Sequence, residues 1–436
     1  MPVFWALILR VASIRLQDIS IPSILFWFIL LFGYLGYPIL WFGLDPYRSN
    51  ELVDQSIFLD MFFMSSVAIT FLFLGVLFGR LILGPLKIRH VFRAQNFIDD
   101  RKVRRKLIQL SCGLFLVCCF ALYQYVSQVG LSNLALLVSL DFFPAADVTK
   151  LRSDASNNFN NYSLYKLFMS QLLLFCTFIF FTLYLSKETK IMRLLSYSAI
   201  TISAFSLTMA GEKGQIIQLL LGLVLVWTIV RRGGSISVRS FVFFSLTGFI
   251  VIVPLYSLMM STPSLTEGLL QVLSRTMTGQ LHPAYVYLEY IPEHRDFLLG
   301  ATFPNPGSIF PYEAVTISQE LMAWYNPKEA ESGIVGSMPA MFWVESYINF
   351  GLMSLGIIPL LIGGGLYFIN YLVLKIAADP LVISLYVWLV IFYKDLSVSF
   401  FSDFIISLYL FAVIVTFSII YCIAHRGRLR LSQGRP

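Results

Sequence analysis

The chain has 436 residues, of which 58% are apolar and only 13% charged, with a mean hydropathy of +0.77 and a net charge of +7. Soluble domains carry about a quarter charged residues, and here long apolar runs recur from Ile21 to Cys422. That excludes a soluble enzyme, a disordered chain and a protein held by one anchor. The runs are continuous and about 20 residues long, which also excludes an outer-membrane barrel with its alternating strands. The composition therefore predicts an all-α polytopic membrane protein, with residues 1–436 forming one integral membrane domain.

In chain order, residues 2–18 read as an interfacial helix. Arg10, Arg15 and Asp18 follow the apolar stretch Val3–Leu9, and no small-residue cleavage site appears. Ten spans follow, at 21–43, 57–85, 107–129, 163–186, 194–211, 214–230, 240–262, 347–372, 381–398 and 402–424. Only Gly211-Glu212-Lys213-Gly214 separates the fifth from the sixth, so a tight turn is expected there. All five cysteines fall inside apolar runs and read as small core residues rather than a disulfide framework.

Lysine and arginine set the expected orientation. One set of loops holds 21 of them, the opposite set 8, and Arg80 and Lys166 lie within spans. Both termini are therefore expected in the cytoplasm. The basic run Lys87–Lys106 reads as a topology determinant, not a nucleic-acid site. On the expected outer face two loops are long, 130–162 and 263–345. The second exceeds any simple connector and reads as partly helical. Ser264-Leu265-Thr266-Glu267 is a capping box, and Leu265, Leu269, Val272 and Leu273 follow at helical spacing up to Gly279. Phe303-Pro304-Asn305-Pro306-Gly307 is turn-rich, and Tyr312–Tyr325 reads as a second helix stopped by Asn326-Pro327.

No metal-ligand spacing, P-loop or dinucleotide fingerprint is present. His90 and His425 fall on the inner side and His282 and His294 on the outer, without acidic or cysteine companions at ligand spacing. Neither a metal nor another cofactor is expected. The few outer cations stand out: Arg275 on the capped helix, Arg152 and Lys150 in the first long loop, and Lys213 in the tight turn. Lys394-Asp395 and Asp403 mark the last outer turn. Charges near membrane depth are costly and usually paired or functional, although each also reads as a solvated or snorkelling residue. Glu345 opens the stretch Glu345-Ser346-Tyr347-Ile348-Asn349-Phe350-Gly351 at the outer edge of the eighth span. It reads equally as an N-terminal helix acid or as a base facing a cavity. The loop aromatics, Trp324 and Trp343 among them, suit an interfacial belt or sugar stacking.

The segment from Glu345 to Gly351, opening a late span after a Pro/Gly/aromatic-rich outer loop, resembles the signature of bacterial oligosaccharide repeat-unit polymerases, the Wzy-type O-antigen and capsule polymerases. Gly211-Glu212-Lys213-Gly214 with the apolar helix after it is similar to the Gly-Ser-Arg-Gly turn of that family and of the related O-antigen ligases. Here Glu-Lys replaces Ser-Arg, which keeps the cation but loses the guanidinium fork.

The resemblance implies a GT-C-like membrane glycosyltransferase in the bacterial inner membrane. It would transfer a growing glycan from undecaprenyl pyrophosphate to a hydroxyl of the next lipid-linked repeat unit at the outer face. The implied partners are the undecaprenyl-pyrophosphate-linked oligosaccharide, membrane lipids, a flippase and a chain-length regulator, with no nucleic acid. On that reading Arg275 and Arg152, with Lys213 third, hold pyrophosphate without metal. Glu345, then His282, serves the acceptor hydroxyl, and Tyr347 and Asn349 contact glycan. An O-antigen ligase, a lipid-linked oligosaccharide flippase and a scaffold protein are the competing readings. The dominant loop 263–345 and the lack of related halves weigh against the flippase.

Overall fold

A computed structural model describes residues 1–50, 52, 54–86, 92, 101–129, 162–209, 213–237, 239–240, 243, 246–248, 250, 253–254, 257, 264–331, 336–376 and 379–433. Its elements are helical, with no β-strand among the described residues. Nine described helices are long and apolar enough to cross a membrane: Ile21–Trp41, Gln55–Leu83, Arg101–Gln128, Leu164–Ser186, Lys190–Met209, Gly214–Arg232, Ser354–Lys375, Pro380–Ser397 and Ser402–Arg426. The chain is thus a polytopic α-helical membrane protein. Nine of the ten expected spans have a counterpart, and the expected seventh, 240–262, lies largely outside the described residues, as does loop 130–162.

Local chemistry sets the helix starts. The Ser20 hydroxyl accepts from the Ser23 N–H at 3.2 Å, and Ser23 Oγ accepts from the Ser20 N–H at 3.1 Å, a reciprocal cap before Ile21. Asp54 accepts from the Ser56 N–H at 2.7 Å and opens the helix Gln55–Leu83. The first span is not uniform. Helix Ile21–Ile29 widens into a π-helical turn at Leu30–Tyr34 and resumes as Gly36–Trp41. The expected helix 2–18 ends at Val11 and packs Trp5, Ile8 and Leu9 inward, with the Trp5 indole donating to Thr70 Oγ1 at 2.9 Å.

The contacts group the chain into two compact units. The first comprises Met1–Lys87, Phe249–Leu372 and Phe392–Ser407, and includes most of the large loop. Within it Gln55–Leu83 and Ser354–Lys375 cross at backbone distance. A Cβ at Gly75 would run into the carbonyl oxygen of Leu360, and one at Gly363 into that of Leu72. Such small-residue crossings let helices gain contact where lipid supplies no hydrophobic drive.

The second unit comprises Ile88–Gly248, Val373–Ile391 and Leu408–Pro436. The span Leu164–Ser186 is largely buried. Thr177 and Ser203 share a hydrogen bond of 2.6 Å between helices, and the Cys176 thiol donates to Ser111 O at 3.2 Å. Cys118 and Cys176 are buried and pack as small groups, as expected, whereas Cys112 and Cys119 are half-buried and Cys422 is exposed. Lys190–Met209 and Lys213–Arg232 are separate helices.

Among the described residues, three helices of eight or more residues lie wholly within the large loop, Leu265–Met277, Leu281–Tyr290 and Ile317–Tyr325. Ser264 caps the first through the Glu267 N–H at 3.2 Å. Its apolar stripe splits: Val272 is buried, whereas Leu265 and Leu269 are exposed. The expected helix 312–325 starts only at Ile317, because Tyr312 is used in a turn in which its hydroxyl donates to Phe303 O at 3.2 Å. The middle helix, Leu281–Tyr290, has no cap box in sequence and was not expected.

Candidate functional site

The expected eighth span, 347–372, is two helices. Phe342–Phe350 ends at Gly351, whose φ of 70° and ψ of −162° belong to a region open to glycine, and Ser354–Lys375 then begins anew. Ser354 Oγ stitches the break by donating to the carbonyl oxygens of Ser346 at 2.6 Å and Gly351 at 2.7 Å. Glu345 therefore does not open a membrane span. It sits in the first turn of a separate short helix in which every residue from Phe342 to Asn349 is buried.

The Glu345 side chain is 0% exposed. Thr302 Oγ1 donates to its Oε1 at 2.7 Å, and the Ser402 N–H donates to Oε2 at 2.9 Å. A second layer holds Thr302. Asn349 Nδ2 donates to Thr302 Oγ1 at 2.9 Å and to Glu345 O at 2.8 Å, while Asn349 Oδ1 accepts from the Gly300 N–H at 2.8 Å. The N–H groups of Leu298 and Leu299 donate to Ile348 O and Asn349 O at 3.0 Å. Burial raises the Glu345 carboxyl to about 7; the bonds from Ser402 and Thr302 oppose the rise, and the Asp403 charge adds to it. Burial, then the Glu345 charge, also pushes the nearby Tyr287 phenol up.

A second constellation joins residues 45–54 to the large loop. Asp45 Oδ2 accepts from Ser274 Oγ at 2.8 Å and from Thr278 Oγ1, and Arg48 Nη1 donates to Ser274 Oγ. The Asp54 N–H donates to the Tyr285 hydroxyl at 2.9 Å. Burial pushes the Asp45 carboxyl up, but the bonds from Thr278, the Tyr47 N–H and Ser274, with the Arg48 charge, outweigh it and leave it depressed. Beside them His282 Nε2 lies 3.1 Å from Tyr325 OH. Burial, then the Arg48 charge, lowers the imidazole to about 4, so it is neutral at pH 7 and a weak base.

The first unit thus places Glu345 and Asn349 in one network, but Asn349 is fully buried and positions Thr302 rather than facing open space. Tyr347 is buried edge-on against Phe297, with ring centroids 5.7 Å apart. His282 belongs to the Asp45–Arg48 constellation. Arg275 is exposed, one residue beyond Ser274, and among the described residues it makes no ion pair. Arg152 lies outside the described residues. Lys213 opens a helix of the second unit, and its side chain lies outside the description. Sequence reasoning passed over Thr302, Ser402, Asp45 and Arg48. Asp45 has local turn chemistry, its Oδ1 accepting from the Tyr47 and Arg48 N–H groups at 2.8 and 3.2 Å, but each of the four also has a partner distant in sequence. No family model, curated protein or solved structure matches the chain.

Proposed function

We propose that the chain is a GT-C-like lipid-linked oligosaccharide polymerase of the bacterial inner membrane, with Glu345 as the base. One observation carries the reading: a carboxyl raised to about 7, fully enclosed, with a hydroxyl donating to it at 2.7 Å. In this proposal an acceptor sugar hydroxyl replaces the Thr302 hydroxyl at Glu345 Oε1, which requires displacement of the 298–302 segment. That segment carries positive φ at Leu299 (47°) and Gly300 (94°). A carboxylate with an ordinary pKa of 4.5 would be a poor base at neutral pH; one near 7 is matched to the task.

In the proposed reaction the acceptor oxygen bonds to the anomeric carbon of the growing glycan. The bond from that carbon to the undecaprenyl pyrophosphate breaks, its electron pair leaves with the lipid pyrophosphate, and the hydroxyl proton passes to Glu345. Arg275 and Arg152 are the proposed partners of the departing pyrophosphate, with Lys213 third. The exposed position of Arg275 supports access to a lipid headgroup.

The test is the purified full chain incubated with undecaprenyl-pyrophosphate-linked repeat units. A ladder of longer lipid-linked glycans is expected, and Glu345→Gln should abolish it while insertion and donor binding persist. Transfer only to added lipid A–core would make the chain a ligase. Substrate movement across vesicles without any new glycosidic bond would make it a transporter.

A further inference from the structure

At the C-terminal end of the helix Lys213–Arg232, the chain turns back through Gly233 (φ 65°) and Gly234 (φ 77°). The N–H groups of these glycines close the helix end on Ile229 O at 3.1 Å and Thr228 O at 3.2 Å. The reversal brings Arg239, Ser240 and Phe243 back beside the last helical turns and leaves a pocket of about 540 Å³ between them. Its walls are apolar: Phe181 from the neighbouring span, Leu223 and Trp227 from this one, and Phe243 from the returning chain. Its polar groups are Arg232, Arg239 and Ser240, and among the described residues no carboxylate lines it.

Arg232 is oriented for this pocket. Its Cζ lies 4.7 Å from the Trp227 ring centroid, and its Nη1 donates to Ser240 Oγ. Stacking fixes the guanidinium plane and leaves its remaining N–H groups free to donate. The adjacent Arg231 is committed elsewhere, in an ion pair with Glu188 at 2.5 Å. The pocket therefore combines an apolar bed with two cations at the end of helices that have the length and composition of membrane spans.

We propose that this pocket binds one anionic phospholipid, with the phosphate on Arg232 and Arg239 and the upper acyl chain along Phe181, Leu223 and Phe243. The charge balance selects the anionic class, because a choline headgroup would bring a further cation beside two guanidinium groups that, among the described residues, have no carboxylate partner. Depth selects a lipid over a free anion: the walls would gain little from inorganic phosphate, which buries no apolar surface. The site is independent of the proposed polymerase activity.

Native mass spectrometry of the full chain in detergent, titrated separately with phosphatidylglycerol and phosphatidylcholine, tests the proposal. Wild-type protein should retain a phosphatidylglycerol at concentrations where phosphatidylcholine does not stay bound. Each cation near a lipid headgroup contributes enough that removing both should weaken retention roughly thirtyfold. The Arg232→Gln/Arg239→Gln variant should show that loss, and Arg239→Gln alone, an exposed and fold-safe change, should show part of it. Arg231→Gln, with the same charge change one residue away, should retain lipid normally. Leu223→Trp, which fills the bed and leaves every charge in place, should also weaken retention. Four results would overturn the proposal: equal retention of phosphatidylcholine, an Arg231→Gln loss as large as that of Arg239→Gln, unchanged retention in Leu223→Trp, or displacement of the lipid by equimolar inorganic phosphate.

Discussion

Replacing Glu345 by Gln removes a charge that the fold encloses while keeping the side chain's volume. The carboxyl rises from its usual 4.5 to about 7 on burial, a change worth about 3 kcal/mol at 1.36 kcal/mol per unit. Because the folded value lies above the unfolded one, the folded state holds the proton more tightly. The associated stability is fully present below about pH 4.5 and is lost as pH rises through about 7. Glutamine has no such loss, and it fits the same partners. Its carbonyl oxygen can face the Ser402 N–H, an obligate donor, while its amide faces Thr302 Oγ1, which can accept.

Glu345→Gln should therefore match wild type at about pH 4.5 and exceed it by up to about 3 kcal/mol above about pH 8. Glu345→Ala should instead be destabilised by about 2–5 kcal/mol at every pH, because it leaves a cavity and strands the Ser402 N–H. Scanning fluorimetry of the detergent-solubilised chain across pH reads both as shifts in Tm. In the polymerisation assay, wild-type turnover should climb with pH through about 7, and Glu345→Gln should stay low and flat. Superimposable Tm–pH profiles for wild type and Glu345→Gln would refute the raised carboxyl. Normal turnover in that variant would return Glu345 to a structural role at the start of its helix.

Asp45 should show the opposite sign: its folded pKa is depressed, so its contribution is present above about pH 4 and lost below it. Asp45→Asn should flatten acid destabilisation there in the same fluorimetric scan. Arg275→Ala should nearly abolish polymerisation and Arg275→Lys restore only part of it, with Arg152 behaving alike and the double variant less than additive; near-normal chain lengths from Arg275→Ala would leave Arg275 a merely solvated charge. Polymerisation should persist in excess chelator, since no ligand spacing is visible in the sequence, and rescue by magnesium after loss would overturn that. A membrane-impermeant thiol reagent should label Ser308→Cys but not Ser13→Cys in intact spheroplasts, and the reverse pattern would invert the expected topology.

The sequence determined the helical membrane character, because twenty-residue apolar runs must satisfy their backbone internally whatever their neighbours. It also located the Ser264 cap and the stop at Asn326-Pro327, which are local chemistry. It singled out Glu345 as the start of a span, and there local reasoning stopped short. The hydropathy of 347–372 runs on through Gly351, yet that glycine breaks the segment. Only the folded chain shows Phe342–Phe350 as a buried helix of its own. The raised carboxyl was equally beyond reach, since it depends on enclosure by Thr302, about forty residues before, and Ser402, about sixty after. The same holds for Asp45 and Ser274. Periodicity and caps are written within a few residues, whereas desolvation and charge coupling are properties of whatever packing brings within a few ångströms.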